Sequence, residues 1–243
     1  MTRSKNHIES FRFRAGQDIA GKYEIMSRLG AGWEGEVYLI REHGTRIERA
    51  AKFFFPQRNK GAKLSNWYAR KLHKLQNCPI LIQYHNREQI EFNDIPVIFL
   101  VSEYVEGELL SSFLKRQRGK RISVFQAIHL LHALAVGVES VHKAREYHGD
   151  LHADNVIIRR HGLGFDLKVL DLYHWGRSSQ ENMQADICDM IRLFYDAIGG
   201  KSRYSNQPKE VKEICCGLRR SLITEKFRTA RKLREHLEGM HWS

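Results

Sequence analysis

Hydrophobic and polar positions change rhythm partway along the chain. Up to Glu103 they alternate in short runs: Tyr23–Leu29, Gly35–Arg41 and Arg46–Phe55 predict three strands. The turn signals Gly30-Ala31-Gly32 and His43-Gly44-Thr45 separate them, as in an antiparallel meander. Lys63–Gln76 then carries Leu64, Trp67, Tyr68, Lys71, Leu72 and Leu75 at the i, i+3, i+4 spacing of one amphipathic helix. The shorter runs Leu81–Tyr84 and Gln89–Phe92 predict lesser strands, and Pro96–Glu103 a buried one. After Glu106-Gly107 the period becomes helical. Leu109–Gln117 predicts a short helix and Ser123–Lys143 a long one, with Ser123 as N-cap and Val124, Ile128, Leu131, Ala135 and Val138 on one face. Val156–Arg159 and Leu167–Leu170 predict a small hairpin; Asp186–Ala197, Glu210–Leu222 and Thr229–Leu237 predict further helices. The fold class is therefore α+β. A small antiparallel-sheet lobe joins a mostly helical lobe near Glu103–Gly107, with no internal repeat and no low-complexity linker.

Composition narrows this picture. At roughly 150 residues per domain, 243 residues make between one and two domains. A hydrophobic share of 42% excludes a disordered or collagen-like chain. Forty Lys and Arg against 28 Asp and Glu leave +12, which favours anionic partners. The longest strong apolar run near the middle, Val97–Val101, has strand length, and none approaches the roughly 18–20 residues that span a bilayer. Met1–Arg14 is polar and basic and lacks the apolar core of a secretory leader. Cys78, Cys188, Cys215 and Cys216 form no C-x-x-C pair, so a cytoplasmic, reduced setting is expected.

Four segments carry candidate chemistry. Gly30-Ala31-Gly32-Trp33-Glu34-Gly35 lets a backbone fold closely over phosphates. The next residues, Glu36–Ile40, alternate as a strand, so the motif is either a phosphate-covering hairpin or a plain one. A dinucleotide fingerprint would open a helix. Lys52 interrupts an apolar strand, Ala50–Phe55, and either meets an anion or snorkels from an edge. His148-Gly149-Asp150-Leu151-His152-Ala153-Asp154-Asn155 precedes the apolar Val156-Ile157-Ile158. A carboxylate followed five residues later by an amide suits an incoming hydroxyl and a metal ion. Asp171 ends the apolar run Lys168–Leu170 and continues as Asp171-Leu172-Tyr173, where Mg²⁺ could be held.

In their order and spacing these segments resemble the eukaryotic-like (Hanks-type) protein kinase superfamily, over about residues 20–238. Tyr23-Glu24-Ile25 resembles its first strand, Ser102–Gly107 its hinge, Asp186-Ile187-Cys188-Asp189 the start of its buried helix, and Phe227-Arg228-Thr229-Ala230 its closing segment. The resemblance implies a bilobal fold: residues 1–19 as an extension, 20–103 as the N-lobe and 104–243 as the C-lobe. It implies ATP and Mg²⁺ as cofactors. Gly30, Gly32 and Gly35 would cover the phosphates, with Lys52 on the α- and β-phosphates. Val37, Ala51 and Ile157 would enclose adenine, and backbone groups of Glu103 and Val105 would bind it behind Ser102. Asp150 would orient and deprotonate the acceptor hydroxyl, while Asn155 and Asp171 would bind the metal.

The pattern also departs from that family. No Asp or Glu occurs between Lys52 and Arg87, so the helix glutamate that pairs with the strand lysine has no counterpart; Asp171 or the ATP phosphates are expected to serve instead. Gly149 replaces the arginine that reads a phosphorylated loop, and His152 resembles aminoglycoside- and choline-kinase-like enzymes. Fifteen positions from Asp171 to Asp186 leave no room for a long activation segment. The expected function is an atypical, bacterial-type Ser/Thr protein kinase acting on protein, an acidic protein being favoured by charge. A small-molecule hydroxyl kinase and an ATP-binding pseudokinase scaffold are the alternatives. His148, His129, His132 and the Cys215-Cys216 pair are expected to be structural. The basic run Lys115–Arg121 is either a solvated face or a docking surface for an acidic protein or nucleic acid; no aromatic-interleaved motif favours nucleic acid.

Overall fold

The computed structural model describes residues 7–162, 164–172 and 177–240. The chain divides into two units: Met1–Gln76 with Ile82–Val105, and Asn77–Leu81 with Glu106–Ser243.

The first unit is a six-stranded antiparallel sheet in the order β1-β2-β3-β4-β6-β5. Its strands are Asp18–Ile19, Tyr23–Ala31, Gly35–Glu42, Glu48–Phe54, Tyr84–Phe92 and Ile95–Glu103, numbered in chain order. Helix α1, Lys63–Lys74, follows β4 and packs on β5 and β6. Ala51 and Phe53 are fully buried, and because side chains alternate along a strand, Lys52 faces the other way. Phe53 stacks on Phe99 at 4.5 Å and meets Phe13 edge-on at 4.9 Å and Phe11 at 5.8 Å. Residues 8–19, expected to precede the lobe, thus contribute Ile8, Phe11 and Ile19 to its core. A buried carboxylate fixes them. Glu36, 0% exposed, accepts from Ser10 Oγ at 2.7 Å, Phe11 N at 3.1 Å, Arg28 Nη2 at 2.8 Å and Tyr38 Oη at 2.7 Å. Burial and this carboxylate push the Tyr38 phenol up to about 12.

The second unit is mostly helical. Strands β7 (Glu108–Leu109), β8 (Val156–His161) and β9 (Gly164–Val169) form a small sheet. Helix α2 is Leu110–Arg116 and α3 is Val124–Lys143. Ser123 caps α3 in a reciprocal box: its Oγ accepts from Gln126 N at 3.2 Å, and its own N donates to Gln126 Oε1 at 3.1 Å. Helices α4 (Gln180–Ala197), α5 (Lys201–Tyr204), α6 (Lys209–Cys215), α7 (Arg220–Lys226) and α8 (Ala230–Glu238) complete the unit. The core lies where α3 packs on α4, α8 and β9.

Three sequence expectations change. Glu210–Leu222 is not one helix: Cys216, Gly217 and Leu218 have φ of +48°, +59° and +58°, a left-handed turn that parts α6 from α7. The pieces at Leu81–Tyr84 and Gln89–Phe92 become a single strand β5 from Tyr84, whose exposed alternate residues hid its length, while Leu81 stands outside it in an isolated bridge to Val169. Helix α3 is also long and apolar enough, by length and composition, to cross a bilayer. It serves here as a core helix, and its buried Glu139 accepts from Lys143 Nζ at 2.8 Å and Arg234 Nε at 2.7 Å.

Candidate active site

In the first unit, β2 and β3 meet at the glycine-rich turn. Gly32 N donates to Gly35 O at 2.9 Å, closing it, and Phe55 N donates to Glu34 O at 2.9 Å. Gly35 is required by contact: a Cβ there would lie 1.9 Å from Phe53 O. A Cβ at Gly30 or Gly32 would meet nothing within 4 Å, so the outer half of the turn is open. In the ladder Val37 stands opposite Lys52, and Ala51 opposite Tyr38 and Val101. This register sets Gly30, Gly35, Val37, Ala51 and Lys52 on neighbouring strands, with Gly32 in the turn between β2 and β3.

Among the described contacts, Lys52 meets the carboxylate of Glu34. Lys52 Nζ lies 2.7 Å from Glu34 Oε2, with both side chains less than one fifth exposed. This adds a carboxylate to the expected partners, Asp171 and ligand phosphates: an acidic residue inside the glycine turn folds back onto the adjoining strand. Helix α1 contributes an aromatic ring where a glutamate was sought. Tyr68 lies under Lys52 Nζ at 4.5 Å from its centroid, a cation–π arrangement, and Phe54 is at 5.6 Å. Trp33, at the tip of the turn, carries the Arg58 guanidinium at 4.1 Å.

At the end of β6, Ser102 is buried. Glu103 N donates to Gln83 O at 2.9 Å, and its Oε1 accepts from Gln83 N at 2.9 Å. The Glu103 side chain and N–H are thus committed to the strand edge. Val105 lies beyond it, outside any strand or helix, at the end of this unit.

In the second unit the loop 148–155 is held by a buried carboxylate. Asp186, 0% exposed on α4, accepts from His148 N at 2.8 Å and Gly149 N at 2.7 Å, and lies 2.9 Å from His142 Nε2. Gly149 has φ of +84°, where a side chain would strain the backbone. His148, expected to be structural, is so here: Nε2 donates to Leu170 O at 2.7 Å, and Nδ1 accepts from Asp150 N at 3.2 Å. Asn155 is buried, and its Nδ2 donates to Asp150 O at 2.9 Å and Asp150 Oδ2 at 3.2 Å. That commits the amide nitrogen and leaves the amide oxygen for a cation. Leu170 N donates to Asn155 O at 2.8 Å, which sets Asp171 beside this loop. Asp171 is exposed with φ of +50°, a left-handed conformation that aspartate tolerates. Tyr173, named with it in the sequence, lies outside the described residues. Ile157 is on β8, two residues past Asn155.

Two further features escaped the sequence reading. His152 Nε2 is 3.6 Å from Asp150 Oδ2 and 3.1 Å from Asn155 Nδ2, so its ring borders the candidate base. Asp189, one turn beyond Asp186, has its carboxyl pushed up to about 6, by burial first and then by the charges of Asp186 and Asp150. The sequence marked it only as the last residue of Asp186-Ile187-Cys188-Asp189, three positions after Asp186 at the start of the expected buried helix. Each unit therefore gathers its own share of the expected residues. Gly30, Gly32, Gly35, Val37, Ala51, Lys52, Glu103 and Val105 stand in the first; Asp150, Asn155, Ile157 and Asp171 in the second.

Known proteins bear on this arrangement. The protein kinase domain family matches residues 23–204. The chain is 28% identical over 137 residues to the tyrosine-protein kinase SPK-1 of Girardia tigrina, covering 56% of this chain and 26% of that one. With the human serine/threonine-protein kinase Nek11 it shares 27% over 148 residues, 58% of this chain and 22% of the relative. With an Aurora kinase of Schizosaccharomyces pombe it shares 26% over 175 residues, 70% of this chain and 46% of the relative. The chain spans less than half the length of these relatives.

Proposed function

The chain belongs to the protein kinase domain family and has its bilobal α+β fold. From that premise we propose that it is an atypical protein kinase that transfers a phosphoryl group from ATP to Ser or Thr hydroxyls of a protein, with Mg²⁺. The observation that carries the reading is the Asp150–Asn155 pair. A half-exposed carboxylate is held by a buried amide whose own oxygen stays available for a cation.

In this reading Asp150 orients the incoming hydroxyl and takes its proton as the oxygen bonds to the γ-phosphorus and the bond to the ADP oxygen breaks. Asn155 and Asp171, all-oxygen donors of the kind Mg²⁺ prefers, would hold the ion; when bound, it neutralises phosphate charge. Lys52 would bind the α- and β-phosphates under Gly30, Gly32 and Gly35. Adenine would take the Glu103 carbonyl and the Val105 N–H, with Val37, Ala51 and Ile157 against its faces. A phosphate meeting Lys52 must share it with Glu34 or displace that carboxylate. We also assign a reducing, cytoplasmic setting, supported by four free thiols; burial pushes that of Cys215 up to about 12.

A second reading, a small-molecule hydroxyl kinase, is favoured by the His152 ring beside Asp150. One experiment separates the two. The full chain is incubated with Mg²⁺, γ-labelled ATP, a mixed protein acceptor and a pool of small hydroxylated metabolites. Label recovered as phosphoserine or phosphothreonine supports the first reading. Label in soluble products alone overturns it in favour of the second, and no label in either leaves a nucleotide-binding scaffold.

A further inference from the structure

The basic run Lys115–Arg121 leads into a cavity that the phosphotransfer reading does not use. Arg118 and Lys120 lie in a short turn after α2, and Ile122 N then donates to Ala197 O at 2.9 Å, tying this segment to the end of α4. Beside that tie opens a pocket of about 390 Å³. Its floor includes Ile198, and its rim is set by Arg118, Arg121, Arg203, Asn206 and Gln207. No aspartate or glutamate lines it.

The guanidinium-bearing chains converge. A Cβ placed on Gly199 would lie 2.9 Å from Arg203 Cγ and 3.3 Å from Arg121 Cδ, so both stems pack beside one backbone position. Arg121 is half-buried, while Arg118 and Arg203 are exposed. Among the described residues none of the three makes an ion pair, although Arg116, two positions earlier, is paired with Glu108. Asp196, at the adjoining end of α4, lies beside Gly200 and forms no ion pair with these arginines among the described residues, the charge that acts on it being that of Arg192. Gathering three like charges without a counter-ion is unfavourable unless a ligand supplies one. Planar guanidinium forks match phosphate oxygens in pairs, and flanking amides supply further donors.

We propose that Arg118, Arg121 and Arg203, with Asn206 and Gln207, form a binding site in the second unit for a phosphate group, either free or carried on a phosphorylated protein segment. It lies wholly within the second unit, and its binding is read without phosphoryl transfer. The test therefore stands apart from the proposed activity.

The experiment titrates sodium pyrophosphate, a phosphoserine peptide and its unphosphorylated twin into the full chain carrying Lys52→Ala, which removes uptake at Lys52. In that background Arg121→Gln/Arg203→Gln is compared with Lys115→Gln/Lys120→Gln, which removes the same charge from exposed positions outside the rim. The arginine pair should weaken pyrophosphate or phosphopeptide binding by about tenfold or more, and the lysine pair by no more than about twofold. Thermal melting checks the fold, and Arg203→Gln alone, at an exposed position, repeats the comparison where the double variant is unstable. Tighter binding of the phosphopeptide than of pyrophosphate assigns the site to a protein-borne phosphate, and the reverse order to a free one. Equal weakening by the two pairs, or no binding of either phosphate form, overturns the proposal. So does a single-stranded RNA that binds tighter and is lost equally in both pairs.

Discussion

The loop around Asp150 and the strand around Lys52 hold their key charges in different ways. Asp150 sits in a loop whose backbone is bonded to the buried Asp186, whose first histidine is bonded to Leu170, and whose Asn155 is bonded back to Asp150. Buried, charge-assisted hydrogen bonds of this kind are costly to break and preorganise a site. Lys52 instead meets Glu34 from the open glycine turn and the face of Tyr68. An anion that reaches Lys52 would have to share it with this carboxylate or displace it. The difference teaches that the acceptor half is tied down by buried hydrogen bonds, whereas the phosphate half carries a counter-charge of its own.

The largest effect should come from cutting the rigid half at its anchor. Asp186→Ala strands two backbone N–H groups and should cost about 2–4 kcal/mol by chemical denaturation, with phosphoryl transfer falling alongside. Loss of stability below about 0.5 kcal/mol would break the contrast. Glu36→Gln, which leaves Arg28 and Tyr38 with a weaker acceptor, should cost about 1–2 kcal/mol and raise protease cutting near Ser10 and Phe11. Retained protection there would separate the N-terminal segment from that carboxylate.

Asp189→Asn should stabilise the chain at pH 7.5 by about 1–2 kcal/mol, because its folded carboxyl titrates near 6, above its unfolded value. The sign comes from that order: the folded state binds the proton more tightly, so wild type loses stability as pH rises from about 4 through 6. The gain should vanish by pH 4, and denaturation series at both pH values read it; an equal gain at both would point to packing.

The smallest effect sharpens the phosphate half. Glu34→Gln removes the counter-charge and should tighten ATP about twofold to fivefold without Mg²⁺ chemistry being changed. Weaker nucleotide binding, measured by calorimetry, would mean that Glu34 positions Lys52 rather than competing for it.

Much of this was legible in the sequence because it is written in local rules. Alternation foretold β2, β3 and β4, an apolar run foretold β6, and the Ser123 cap foretold the start of α3. The spacing of Asp150, Asn155 and Asp171 marked the acceptor half because those residues are near neighbours along the chain. The partner of Lys52 was not legible. It depends on how a hairpin tip curls across a strand pair, and the search along α1 for an acid passed over Glu34, eighteen positions upstream. The split of Glu210–Leu222 was missed because its apolar spacing continues through Gly217, whose conformation overrides it. The arginine pocket joins residues about eighty positions apart, which no local pattern brings together.

The most direct test is phosphoryl transfer from γ-labelled ATP with Mg²⁺ by the wild-type chain and by Asp150→Asn, matched for thermal stability. The account predicts protein-bound label in the wild type and a loss of about a hundredfold or more in the variant, as removal of a catalytic base requires. Equal labelling by the two chains would contradict it.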